Sequence, residues 1–247
     1  MTFSITFCQQ VGKDKLKNQD ALFNGHSVFQ YQLKKAETIE LNAEKIMLGV
    51  ADGVSSSPKS HYASRFMMKQ LAQCQQLSSA WLRQTQQALS QTLSSRYLGS
   101  STTFLACELT QDGKCKIINV GDSRAYKITA EGDWQQLSVD HTILNEMQQQ
   151  GLADKQTVYS GLYNGLSDCL VADENEIAFR IAVAETELVQ GEAILLCSDG
   201  LSHYLHSDLL KKIWQQFSTN RERLTICRKM VKKHRYYDDF SAIICQF

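Results

Sequence analysis

Two segments of this 247-residue chain echo each other: Met47-Leu48-Gly49-Val50-Ala51-Asp52-Gly53 and Ile194-Leu195-Leu196-Cys197-Ser198-Asp199-Gly200. Each is an apolar run that ends in Asp-Gly. A buried strand that delivers a carboxylate at its end, followed by a glycine that lets the chain turn sharply, is a way to hold a hard cation. An ordinary turn accounts for either segment alone, because Asp-Gly is a common turn dipeptide. Two further acidic motifs weaken that plain reading. Asn18-Gln19-Asp20 follows the first strand-like run, and Asp238-Asp239-Phe240-Ser241 precedes the last. Four carboxylates thus flank four strand ends. If those strands lie together, Asp20, Asp52, Asp199 and Asp238 converge, and like charges that close do not all stay ionised without a cation between them. Oxygen-rich, hydrated ligation suits magnesium or manganese.

Composition narrows the alternatives. Lys+Arg and Asp+Glu both number 26, so no global field recruits nucleic acid or an anionic membrane, and neither is expected as a partner. With 43% hydrophobic and 21% charged residues the chain can bury a core and does not carry the signature of disorder. No apolar run approaches the roughly 18 residues of a membrane span. The start, MTFSITFCQQVGKD, lacks the basic and long apolar regions of a signal peptide, so a cytoplasmic location is expected. The eight cysteines form no CxxC pair and no cluster at zinc-ligand spacing, which leaves them as small core hydrophobes. Pro58 is the only proline and no linker-like stretch interrupts the chain, so residues 1–247 read as one domain with a polar excursion at about 151–176.

Strand-like runs cover Phe3 to Cys8, Ile46 to Ala51, Thr103 to Leu109, Lys116 to Val120, Ala125 to Ile128, Ile177 to Ala182, Ala193 to Cys197 and Ser241 to Phe247. Tyr62, Phe66, Met67, Leu71 and Cys74 recur at helical spacing, as do Trp81, Thr85, Leu89 and Leu93, predicting two consecutive amphipathic helices that pair antiparallel. Further helices are predicted at Ile143 to Gln150, Tyr204 to Phe217 and Arg221 to Lys233. Gln111-Asp112-Gly113 and Glu131-Gly132-Asp133 have the form of hairpin turns, so the middle of the chain reads as an antiparallel meander. The order of elements is α+β and lacks the regular βαβ alternation of a dinucleotide-binding fold.

From end to end the sequence resembles the metal-dependent protein phosphatases, the protein phosphatase 2C-like family, in their compact bacterial form. The resemblance rests on Asn18-Gln19-Asp20-Ala21, Val50-Ala51-Asp52-Gly53, Gly99-Ser100-Ser101-Thr102-Thr103, Val120-Gly121-Asp122-Ser123-Arg124-Ala125-Tyr126, Asp140-His141-Thr142, Leu196-Cys197-Ser198-Asp199-Gly200-Leu201 and Asp238-Asp239-Phe240-Ser241, all in the family's order. It implies a four-layer α-β-β-α sandwich, two antiparallel sheets flanked by pairs of helices. It also implies a site for two Mg or Mn ions, in which Asp52 bridges both, the Gly53 carbonyl supports one, and Asp199 and Asp238 complete the other. Asp20 matches the carboxylate that orients the attacking water. Asp122 matches the acidic residue of a third, looser metal position, although a short side chain in Gly121-Asp122-Ser123-Arg124 serves equally well as the cap of a tight turn. The implied activity is hydrolysis of phosphoserine and phosphothreonine on proteins by a metal-activated water. Substrates would be the products of a Ser/Thr kinase, and the chain would act as a monomer.

Three features depart from the family pattern. Lys15 stands five residues before Asp20, where members carry the arginine that grips substrate phosphate, and an ammonium supplies charge without a bidentate fork. A solvated basic loop through Lys13, Lys15 and Lys17 is the plainer reading of that segment. Gln19 replaces a common glutamate. Val54 follows Asp52-Gly53 where some eukaryotic relatives place a histidine general acid, which leaves His61 and His141 as candidates by default. Within the excursion, Gly161-Leu162-Tyr163-Asn164-Gly165-Leu166 reads as a flap over a phosphopeptide or as an inert loop. The last helix carries Arg221, Arg223, Arg228, Lys229, Lys232, Lys233 and Arg235, either a solvated face or a docking surface for acidic or phosphorylated partners. A catalytically weak phosphoprotein sensor of the same fold, and a hydrolase of small phosphoesters, are the competing functions.

Overall fold

The structure, a computed structural model, describes residues 2–154, 157, 159–175 and 178–247. In chain order the strands are β1 (Thr2–Gln10), β2 (Ala21–Phe23), β3 (Val28–Phe29), β4 (Glu37–Asn42), β5 (Lys45–Ala51), β6 (Ser101–Thr102), β7 (Phe104–Thr110), β8 (Lys114–Val120), β9 (Arg124–Ile128), β10 (Trp134–Gln136), β11 (Leu170–Val171), β12 (Ala182–Glu187), β13 (Ala193–Cys197) and β14 (Phe240–Gln246). The helices are α1 (Ser60–Leu71), α2 (Ser79–Tyr97), α3 (Ile143–Gln149), α4 (Asp199–Ser202), α5 (Ser207–Gln216) and α6 (Asn220–Val231), with a 3₁₀ turn at Gly161–Asn164. One six-stranded sheet runs β10-β9-β13-β14-β1-β4 and a second runs β12-β8-β7-β5-β2-β3, while β11 and β6 form a short ribbon. Every pairing is antiparallel.

Strand alternation builds the layers. Phe3, Ile5 and Phe7 of β1, Ile46, Leu48 and Val50 of β5, Ile194 and Leu196 of β13 and Ile243 and Cys245 of β14 fill the space between the sheets. The alternate residues turn outward and are covered in their turn. Leu195, Cys197, Ala242 and Ile244 meet Leu210, Ile213, Leu224 and Cys227 of α5 and α6. Met47, Ala51, Ala106 and Ile118 meet Ala63, Met67, Met68, Leu82 and Leu89 of α1 and α2. Strands buried on both faces need apolar side chains at every position, which is why these segments read as continuous runs. Each fully buried Leu, Ile or Phe contributes about 1.5–3 kcal/mol, so this double-sided burial holds the four layers together. The expected α-β-β-α sandwich is therefore present, with α1 and α2 as one helical layer and α5 and α6 as the other.

Three expectations are corrected. The central strands do not form one meander: the β7-β8 hairpin belongs to one sheet and the β9-β10 hairpin to the other. The chain changes sheets at Gly121-Asp122-Ser123, where Gly121 has φ +101 and a Cβ would lie 2.6 Å from Thr103 Cγ2, so glycine is required. The strand expected at Ile177 to Ala182 instead covers Ala182–Glu187; Ile177 lies outside the described residues, as do Glu176 and part of the excursion. Phe179 and Ile181 pack onto the helical layer rather than into the sheet, and Arg83 stacks over the Phe179 ring at 5.2 Å. The helix expected from Tyr204 to Phe217 starts later, at Ser207, because His206 takes extended backbone as the N-cap of α5, and a separate single turn, α4, precedes it at Asp199–Ser202. The strands β2, β3, β4, β6, β10 and β11 had no separate signal, being short or paired through polar residues. Among the described residues no helix is long and apolar enough to cross a membrane.

Candidate active site

Both Asp-Gly motifs lie at the same end of the sandwich, one from each sheet. Asp52 follows β5 and its main chain is clamped on both sides. Asp52 N donates to Thr103 Oγ1 at 2.9 Å, while its carbonyl accepts from Thr102 Oγ1 at 2.9 Å and Thr103 N at 2.8 Å. Gly53 N donates to the Gln19 carbonyl at 3.2 Å, and a Cβ on Gly53 would sit 2.7 Å from that oxygen. The motif containing Asp20 is thereby tied to the one containing Asp52. Asp20 is fully buried, and its Oδ2 accepts from Ser198 Oγ at 2.8 Å. Ser198 Oγ in turn accepts from Ser241 N at 3.0 Å. One serine thus fastens Asp20 to the second Asp-Gly segment and to β14. Gly200 closes the arrangement: a Cβ there would fall 1.8 Å from the Asp239 carbonyl oxygen, so only glycine lets α4 approach β14.

These carboxylates strain one another. Burial, then Asp239, pushes Asp20 well above the ordinary carboxylate range. Burial, then Asp20 and Asp199, does the same to Asp52. Asp199 is raised, chiefly by burial and then by Asp238, while a hydrogen bond shared with Asp52 opposes the shift. Asp122, at the sheet crossover, is pushed up to about 7 by burial and by Asp199 and Asp140. Among the described residues Asp20 Oδ1 and Asp199 Oδ1 are buried with no donor. Oxygens without donors, in carboxylates that raise one another's pKa, are the chemistry a hard cation satisfies, so the residues fit such an ion. Among the described residues no three His, Cys, Asp or Glu side chains close on a single point. Magnesium-type sites keep several waters and use one or two carboxylates directly, so tight triads are not required of them.

Lys15 reaches the same site from the loop before Asp20. Asp14 takes a left-handed conformation, φ 64, which short polar residues tolerate, and Lys15 follows it. The Lys15 ammonium pairs with Asp238, with Asp239 Oδ2 at 3.0 Å and with Ser55 Oγ at 3.2 Å. Burial alone would depress Lys15, but Asp238 and Asp239 outweigh it and hold the ammonium above its ordinary value. The ammonium is therefore engaged by carboxylates as well as placed beside the site. Asp239, which the sequence reading passed over, is the anchor of this loop. Only 1% exposed, it accepts from Gly12 N at 2.7 Å and Gln19 N at 2.9 Å. Of two adjacent aspartates entering a strand, one must face inward and one outward; that alternation was the available signal.

A cleft of about 380 Å³ opens beside the carboxylates, lined among others by Asp122, Arg124, Asp140, Asn145, Asp199 and His203. Arg124 grips Asp140 through Nε and Nη2, at 2.9 Å and 2.6 Å to Oδ2. Gly161 and Asn164 of the excursion form the far wall. His141 is not in the lining: its Nδ1 accepts from Gly121 N at 3.1 Å and burial depresses its pKa, so it serves as a neutral brace for the crossover. His61 stacks against Tyr62 on α1, its pKa likewise lowered by burial. His203, one turn beyond Asp199, is the histidine that borders the cleft, and the sequence offered no motif to single it out.

A sequence profile described as protein phosphatase 2C matches residues 13–233. No curated protein sequence matches significantly. Among solved structures, the serine/threonine phosphatase PstP/Ppp of Mycobacterium tuberculosis superposes with TM-score 0.78 at 16% identity, covering 100% of this chain and 99% of that one. PstP in complex with two manganese ions gives 0.73 at 17% identity, with 100% and 99% covered. The phosphatase Stp1 of Staphylococcus aureus gives 0.76 at 19% identity, with 98% and 94% covered. The profile spans most of the chain and the architecture agrees over its full length, so this chain belongs to the protein phosphatase 2C family.

Proposed function

We propose that the chain is a metal-dependent protein phosphatase that hydrolyses phosphoserine and phosphothreonine esters. The observation that carries this reading is the set of buried, mutually raised carboxylates at the shared end of the two sheets, two of whose oxygens lack any donor. In our assignment Asp52, the Gly53 carbonyl, Asp199 and Asp238 would hold two Mg or Mn ions, and Asp122 would serve a third, weaker position. When bound, such ions lower the pKa of water and neutralise charge on phosphoryl oxygens. The chain's own groups do the rest. Asp20, held by Ser198, orients the attacking water and receives its proton. The Thr102 and Thr103 bonds fix the Asp52 backbone. Lys15 supplies a point charge for the substrate phosphate, in exchange for its carboxylate partners. The 151–176 excursion shapes access to the cleft.

The domain assignment is a single catalytic unit over residues 1–247. The substrates are phosphoproteins made by a Ser/Thr kinase, and the protein is assigned to the cytoplasm as a monomer. The test is hydrolysis of a phosphothreonine peptide with Mn or Mg, beside EDTA and Asp52→Asn controls. Metal-dependent turnover lost in both controls is expected. Tight phosphopeptide binding without turnover would overturn the assignment in favour of a sensor.

A further inference from the structure

The basic face of α6 is the one sequence motif that the catalytic reading does not absorb, and its position gives it a use. Residues 228–235 carry Arg228, Lys229, Lys232, Lys233 and Arg235 with no acidic residue among them. Arg228 is buried and spent on structure, donating to Gln10 Oε1 and the Lys34 carbonyl. The other four point to solvent. Among the described residues none of these four has a carboxylate in ion-pair range. A chain of zero net charge has therefore gathered unneutralised cations in one place.

That place is the rim of the candidate active site. The turn that follows α6, residues 232–237, carries Lys232, Lys233 and Arg235 and leads into Asp238 and Asp239. It is stitched to the Lys15 loop, for Lys13 N donates to the Tyr237 carbonyl and Lys13 Nζ to the Arg235 carbonyl, each at 2.9 Å. The Tyr236 ring, 66% exposed, lies between Lys13 at 5.8 Å and Arg235 at 5.3 Å. Leu16 projects fully into solvent between Lys15 and Lys17. The result is a lip of exposed ammonium and guanidinium groups, with Asp14, one aromatic ring and one bare leucine among them, beside the carboxylates that would bind metal.

We propose that this lip is a substrate-docking surface that selects phosphoproteins whose phosphorylated residue is flanked by acidic side chains. The proposal rests on the phosphatase reading and deepens it by naming the substrate class. Charge complementarity is its basis. The lip is bonded to the loop that carries Lys15, the group assigned to the substrate phosphate, so aspartate and glutamate flanking that phosphate find unpaired cations and basic flanks meet repulsion.

The experiment compares two phosphothreonine peptides, one with Asp/Glu flanks and one with Lys/Arg flanks, on the wild type and on a Lys232→Glu, Lys233→Glu, Arg235→Glu variant. p-Nitrophenyl phosphate, which has no flanks, reports the catalytic centre separately. The wild type is expected to prefer the acidic peptide in kcat/KM by about tenfold at low salt, and the preference to shrink as salt screens it. The variant should lose or invert the preference while keeping p-nitrophenyl phosphate turnover, which also certifies its fold. A neutral Lys232→Gln, Lys233→Gln, Arg235→Gln variant should fall between the two. Equal turnover of both peptides by the wild type, or an unchanged preference in the glutamate variant, would overturn the proposal. Failure of the wild type to hydrolyse any ester would instead refute the phosphatase reading, and fluorescence anisotropy of the same peptides in EDTA would then decide the docking surface by itself.

Discussion

Replacing Asp122 by asparagine isolates the energetic cost of the acidic cluster, because the variant keeps shape and removes one charge. In the folded, metal-free chain Asp122 is pushed up to about 7, against an ordinary aspartate near 3.8 in the unfolded chain. A raised folded value means that folding takes up a proton. The resulting stability is fully present below pH 3.8 and is lost as pH rises through about 7. At about 1.4 kcal/mol for each pH unit between the two values, the full effect is about 4 kcal/mol. Partial access to water reduces it to about 2 kcal/mol. Asp122→Asn in EDTA should therefore exceed the wild type in stability by about that amount at pH 8, with the gap closing toward pH 4. For a chain of this size the gap corresponds to roughly 4–8 °C in Tm. Urea unfolding across pH 4–8.5 measures it directly, with Mn added in a parallel series. Manganese should narrow or reverse the difference, since the wild-type carboxylate then gains a cation. A variant no more stable than the wild type at pH 8 in EDTA would refute the picture of a cluster strained by its own charge.

Three further outcomes and one matched control follow from the same geometry. Lys15→Ala should raise KM for a phosphothreonine peptide by about tenfold with a smaller change in kcat, as expected for loss of one charge-assisted contact; unchanged kinetics would remove Lys15 from the site. Asp239→Ala leaves the Gly12 and Gln19 amides without their acceptor and takes one of two carboxylates from the Lys15 ammonium, and should cost about 3 kcal/mol by chemical denaturation, partly restored in Asp239→Asn. Gly200→Ala places a methyl 1.8 Å from the Asp239 carbonyl oxygen, a main-chain clash that should exceed the roughly 1–3 kcal/mol of ordinary overpacking. Gly161→Ala meets open space and should leave Tm unchanged, which makes it the matched control.

What was legible in the sequence and what was not divide along a physical line. The strands buried on both faces announced themselves as apolar runs, and the Asp-Gly dipeptides marked where two of them end. Helices α1, α2 and α6 showed their periodicity because one face of each is buried against a sheet. The sheet change at Gly121-Asp122-Ser123 was hidden, because two hairpins joined by a short turn look the same whether they share a sheet or not. The part of the site carried by main-chain geometry was hidden as well. Thr102 and Thr103 hold the Asp52 backbone, and Ser198 links Asp20 to Ser241 across a large sequence separation. Hydroxyl residues in those roles have no spacing rule, since each contact depends on tertiary register.

The register also explains why the acidic cluster is compatible with a stable fold. Asp52 is delivered by the sheet that α1 and α2 cover, and Asp199 by the sheet that α5 and α6 cover, so the candidate metal centre straddles the two halves of the sandwich. The Asp20 carboxylate is held by the Ser198 hydroxyl and the Asp52 main chain by Thr102 and Thr103, so two of the acidic motifs are tied to neighbouring segments while the acids repel one another along the seam between the sheets. Lys15 sits on that seam and offsets part of the repulsion through Asp238 and Asp239. A divalent cation there would neutralise more charge than one ammonium and release Lys15 toward an incoming phosphate. Ion binding, sheet-to-sheet cohesion and substrate capture would thereby be linked through one lysine. An arginine at position 15 would offer the phosphate a bidentate fork, but it would also make a stronger carboxylate clamp, so the gain in substrate grip and the ease of release would pull in opposite directions.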